Sequence, residues 1–150
     1  MSVIWQYLDK RSAAINALKD YGSMKYILEH TDEEIANIHD DMTAISSPEF
    51  TDVPHGSFNP KSGEIRLTAA IDEIDVLRER CRQAKEYMEW FQPAWETLSE
   101  DEHFVLEQFY WHDEQDIYAI CDHFGIERSS AYNKKNRAVQ HLTLLLYGKA

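Results

Sequence analysis

At 150 residues the chain has room for one ordinary domain or two small ones, and 43% apolar residues with only five Gly and four Pro point to a folded, helix-rich protein rather than a disordered one. No apolar run approaches the ~20 residues of a membrane span, and the opening MSVIWQYLDKRSAAI lacks the charged head and apolar core of a secretory leader, so neither is expected. A formal net charge of −12 argues against a general polyanion binder.

That charge is unevenly spread. Residues 1–97 carry −8, residues 98–125 carry another −8 with no Lys or Arg at all, and residues 126–150 carry +4. Charges farther apart than a Debye length, ~8 Å at physiological salt, are largely screened. A small basic face can therefore still meet phosphate, although long-range steering towards DNA is weak. Cys81 and Cys121 lie far apart in separate apolar patterns. Two such thiols make no disulfide framework, and a reducing cytoplasm is the expected compartment.

From Tyr21 an apolar seam recurs at Met24, Leu28, Ile35, Ile38, Met42 and Ile45, with Thr31 filling one slot. The steps alternate three and four, which is heptad spacing. Upstream, Leu8, Ile15 and Leu18 continue the stripe with a shifted phase near Gly22, where a bend or break is compatible with the helix cost of Gly. Thr31–Asp32–Glu33–Glu34 has the form of a capping box and either starts a second helix or lies within a longer one. Between 46 and 63 the pattern stops at SSPEFTDVPHGSFNPKSG, expected to be a mobile loop at a hairpin tip.

The seam resumes at Leu67, Ala70, Ile74, Leu77, Cys81, Ala84, Met88 and Phe91. Two heptad helices joined by one loop predict a coiled-coil-like antiparallel hairpin over 1–97. Aligning the seams pairs Ile45 with Leu67, Ile38 with Ile74, Ile35 with Leu77 and Leu28 with Ala84, and makes Cys81 a small core residue. Trp90, Phe91, Pro93 and Trp95 form an aromatic junction, at which Pro93 is expected to bend or end the helix.

Residues 98–150 read as a separate three-helix unit. Ser99–Glu100–Asp101–Glu102 is a capping box, followed by a buried face of Phe104, Val105, Leu106, Phe109 and Tyr110. His112 to Gln115 is polar and connects. Asp116 caps a helix with Ile117, Ile120, Cys121 and Phe124 inward; Gly125 ends it and Ile126 plugs the turn. A last helix over 128–146 has Ala131, Lys135, Ala138 and Leu142 on its inward stripe.

The run ICDHFGIERSSAY from Ile120, with Arg137–Ala138–Val139 after it and LSEDEHFVLEQFYW before it, resembles the helix–turn–helix of bacterial sigma-factor region four. A long helical hairpin, a Ser/Pro/Gly loop and then this module is similar to phage-encoded, region-four-like regulators such as the ArpU-type late-operon transcriptional regulators. Cys121 stands where Ala is usual and Glu127 where a capping Ser is usual. Asn133 and Asn136 dilute the basic run. The resemblance implies an all-α DNA-binding transcription regulator of phage or prophage type, working in the cytoplasm of a bacterial host.

A recognition helix places its N-terminal side chains in the major groove. Ser129, Tyr132, Asn133 and Asn136 fall at i, i+3, i+4 and i+7, on the face opposite Ala131, Ala138 and Leu142. Arg128 and Ser130 stand at the helix start, and Lys134 and Arg137 flank the face as phosphate contacts. The expected partners are double-stranded DNA, and through the acidic hairpin a second copy of the chain or RNA polymerase; no membrane partner is expected.

His103, His112, Asp113, Glu114, Asp116 and His123 fit no tight metal box, and no phosphate loop or nucleophile elbow occurs. No cofactor, metal or catalytic activity is expected. Two other functions stay open: a small terminase-like DNA-packaging subunit, and a protein-interaction module that uses the same fold without DNA.

Overall fold

The computed structural model describes residues 8–46, 60–112 and 116–148, with the side chains of 44–46 and 60–62 left aside. The elements are α1 (Lys10–Ser46), α2 (Pro60–Thr97), α3 (Glu100–Leu106) running on into a π-helical turn (Glu107–Trp111), α4 (Ile117–Phe124) and α5 (Arg128–Tyr147). The protein is all-α; among the described residues there is no strand. The chain divides into two compact units, Met24–Glu86 and the pair of segments Met1–Ser23 with Tyr87–Ala150. This division differs from a split at 97/98, because the first turns of α1 and the last turns of α2 pack with the C-terminal helices.

In the unit Met24–Glu86, α1 and α2 pack through the heptad seam. Ile74, Leu77 and Ala84 are buried, and the Arg80 guanidinium donates to Glu34 at 3.2 Å across the pair. Thr31 is 2% exposed yet starts no helix: its hydroxyl donates to the Ile27 carbonyl, so a polar residue fills a core slot with its hydrogen bond satisfied locally. Leu67 is 47% exposed, and the Ile45 side chain proposed to meet it lies outside the described residues. So do residues 47–59 of the expected loop; α2 already begins at Pro60, where a first-turn proline costs no hydrogen bond.

The other unit is held by an aromatic cluster. Tyr21 stacks on Trp111 at 5.0 Å, Trp111 on Trp95 at 4.7 Å and Phe91 on Tyr87 at 5.2 Å. Polar edges are tied off by donation to helix carbonyls: Trp111 Nε1 to Leu18 at 2.9 Å, Trp90 Nε1 to Leu146 at 3.3 Å and the Tyr87 hydroxyl to Ala17. Ala14, Leu18, Phe91, Trp95 and Leu98 close over Leu106, Ala138, Val139, Leu142 and Leu146.

Pro93 does not end α2, which runs on to Thr97. An interior proline costs ~3 kcal/mol, and the burial of Phe91, Ala94 and Trp95 around it supplies the compensating contacts. Gly22 likewise leaves α1 unbroken. The phase shift beside it falls where α1 passes from one unit to the other, at Ser23.

Phe91 is fully buried, so Phe91→Ala is expected to remove ~3–5 kcal/mol in chemical denaturation. A loss under 1 kcal/mol would contradict the placement of the aromatic cluster at the centre of this unit.

Candidate nucleic-acid interface

The helix–turn–helix is specified locally. Ser99 Oγ accepts from the Glu102 amide at 3.2 Å while Glu102 Oε1 accepts from the Ser99 amide at 3.1 Å, a reciprocal capping box that starts α3. Asp116 Oδ1 accepts from the Ala119 amide at 3.0 Å and starts α4. Gly125 then takes φ 62°, ψ 42°, the left-handed conformation that glycine adopts without strain, and α5 follows within three residues. Val105, Phe109, Ile117, Ile120 and Ala131 form the core of this module, with Cys121, Phe124 and Ile126 packed at its edge. The π-helical turn widens the end of α3, so that Phe109 enters this core while Trp111 enters the aromatic cluster.

Helix α5 buries Ala131, Ala138, Val139, Leu142, Thr143 and Leu146. Over residues 128–140 it exposes Arg128, Ser129, Ser130, Tyr132, Asn133, Arg137 and Gln140. Of the row expected from spacing, Ser129, Tyr132 and Asn133 are exposed and Asn136 is not fully so. Asn136 is half-buried, its Oδ1 accepting from Arg11 Nη2 at 2.8 Å. Tyr132 is 38% exposed, with its ring edge-on to Phe109 at 6.3 Å. Gln140 and Arg11 were not among the residues singled out by sequence. Gln140 follows Asn133 and Arg137 at helical spacing and was legible; Arg11 lies on another helix and was not.

Arg128 is exposed and lies over the Tyr118 ring, 5.4 Å from its centroid. Lys134 sits 4.4 Å from the Phe124 centroid, and Lys135 sits 4.6 Å from that of Phe109. Burial, and next the charge of Arg11, hold the Lys135 ammonium below the usual lysine range. Glu127 is the exposed N-cap of α5, at φ −77° and ψ 162°, and its carboxylate caps none of the first-turn amides. The candidate site is thus a short polar and basic row, ringed by aromatic-held cations, with one carboxylate at its entrance.

Beside it, Ser99, Asp101, Glu102, Lys134 and Arg137 line a shallow groove. There Glu102 Oε2 pairs with His141 Nδ1 at 2.7 Å, linking the capping box to α5. Among the described residues no three His, Cys, Asp or Glu gather as metal ligands. His123 stacks on Phe104, His103 bonds the Trp95 carbonyl, and Asp113 and Glu114 lie outside the described residues. No helix among those described is long and apolar enough to cross a membrane. No family model, curated protein or solved structure matches the chain.

Burial pushes the Glu102 carboxyl up, but the Ser99 amide and His141 outweigh it and hold it below its ordinary 4.5. A carboxyl lowered on folding adds stability that is present above its unfolded pKa and lost as pH falls through the folded one. Glu102→Gln should therefore be less stable than wild type at pH 6, with the gap closing below about pH 4.5. Parallel denaturation curves across that range, with a constant gap, would contradict it.

Proposed function

We propose that this protein is a DNA-binding transcription regulator of phage or prophage type that reads duplex DNA with residues 128–137 of α5. The observation that carries the reading is the exposed row Ser129, Ser130, Asn133 and Arg137 at the start of a helix whose far half is locked into a core. A row of hydroxyl, amide and guanidinium groups on a rigid rod suits hydrogen bonding to base edges and flanking phosphates. The similarity of residues 98–150 to sigma-factor region four supports the same assignment. Asn133 is the base reader, Arg128 and Arg137 meet phosphate or guanine, and Ser129 and Ser130 meet the backbone. The acidic unit Met24–Glu86, which exposes Ile71 and Val76, serves to dimerise or to touch RNA polymerase.

Few cations and a net charge of −12 imply few phosphate contacts. Specific binding should therefore weaken only shallowly with salt. Selection from a random duplex pool, followed by titration across a salt series, tests the proposal; failure to enrich any sequence would sink it. Glu127→Ser removes a carboxylate from the entrance and should tighten binding to selected and random duplexes alike. Asn133→Ala should cost ~1–3 kcal/mol on the selected site and little on random DNA. Unchanged affinity in both variants would mean that another face of the protein binds.

A further inference from the structure

We infer that Arg11, at the start of α1, forms with Lys135 and Asn136 a second phosphate clamp on the flank of α5, taking the sugar–phosphate backbone of duplex DNA. The inference rests on the reading of α5 as the DNA helix and adds a contact from a different element.

Three observations converge on it. First, the Arg11 guanidinium is exposed and donates to a neutral acceptor, Asn136 Oδ1, at 2.8 Å. One of its five N–H groups is used there and it makes no side-chain ion pair, although its charge is also felt at the exposed Asp9 carboxylate. Asp9, two residues earlier, engages both carboxylate oxygens with Ser12, at 3.1 and 2.8 Å. Second, although the chain has 27 Asp and Glu against 15 Lys and Arg, most of its described lysines and arginines make no ion pair, those around α5 among them. Arg80 and Arg82 on α2 both pair with glutamates. Among the described residues Arg11, Lys19, Lys134, Lys135 and Arg137 form no ion pair; Lys19, Lys134 and Lys135 instead lie over aromatic rings. An aromatic face holds an ammonium in place without neutralising it. Third, Arg11 lies close enough to Lys135 for its charge to be felt there. Two like charges held together are relieved by an anion between them.

The position suits a backbone contact. Asn136 follows Tyr132 by four residues and Asn133 by three, so Arg11 sits beside the exposed row at a spacing of about 5–6 Å along the helix surface. Phosphates line the major groove on either side of a docked helix, and contacts to them fix its register.

The test is anisotropy with the full-length protein on a selected and a scrambled duplex, across a KCl series. Arg11→Ala should weaken both duplexes by the same factor, on the order of 3- to 10-fold, and reduce the salt slope by about 0.9. Arg11→Lys should restore most of the slope, and Asn136→Ala should keep it. Should Arg11→Ala melt early, Arg11→Lys decides: a recovered slope supports the clamp and an unrecovered one overturns it. Wild-type slope in Arg11→Ala overturns the clamp and leaves the α5 reading intact. A loss confined to the selected duplex makes Arg11 a sequence reader and also overturns it. Absence of binding by wild-type protein overturns clamp and reading together.

Discussion

Ala131 and Leu142 lie about three turns apart on one helix, and each is sealed into a different core. Ala131 closes the small core of α3 and α4, while Leu142 sits among Leu18, Phe91, Trp95 and Leu106. Everything proposed for this protein depends on that double anchorage of α5. Its far half is held by the first turns of α1 and the last turns of α2, so the near half projects its polar row from a fixed rod. The stack of Tyr21, Trp111, Trp95 and Phe91 supplies the rigidity, because aromatic side chains bury large areas in few rotamers. The helical hairpin is therefore more than a handle: its open ends are part of the wall against which α5 is positioned.

The electrostatics follow from how the few cations are held. Among the described lysines and arginines, Arg80 and Arg82 are the two that pair with carboxylates. Around α5 the lysines rest on Phe109, Phe124 and Tyr110 instead, and Arg11 rests on an amide oxygen. Their charge stays available at short range, while the acidic remainder suppresses long-range attraction. Such a surface favours a ligand that fits over one that is merely anionic. Glu127 at the entrance adds a local repulsion against any phosphate that approaches it.

Much of the fold is legible in the sequence because it is written in local chemistry. Thr31 and Cys81 keep a heptad slot, Ser99 with Glu102 starts α3, and Gly125 supplies the one left-handed residue that the turn needs. What depends on contacts distant in sequence was not legible. The phase shift near Gly22 was visible, but not that it marks a change of partner. Pro93 breaks a local rule that burial of its neighbours overrides. Arg11 reaches Asn136 from 125 positions away, and spacing within one helix cannot say which of its polar positions an outside helix will contact.

The proposed role of the exposed row of α5 in meeting DNA can be read residue by residue in an amide-resolved NMR titration of the full chain with a duplex taken from selection. The largest shifts are expected at Arg128, Ser129, Ser130, Asn133 and Arg137, with a smaller set at the start of α1 and none along the seam of Ile74 and Leu77. Saturable shifts confined to α2 and absent from α5 would rule that role out.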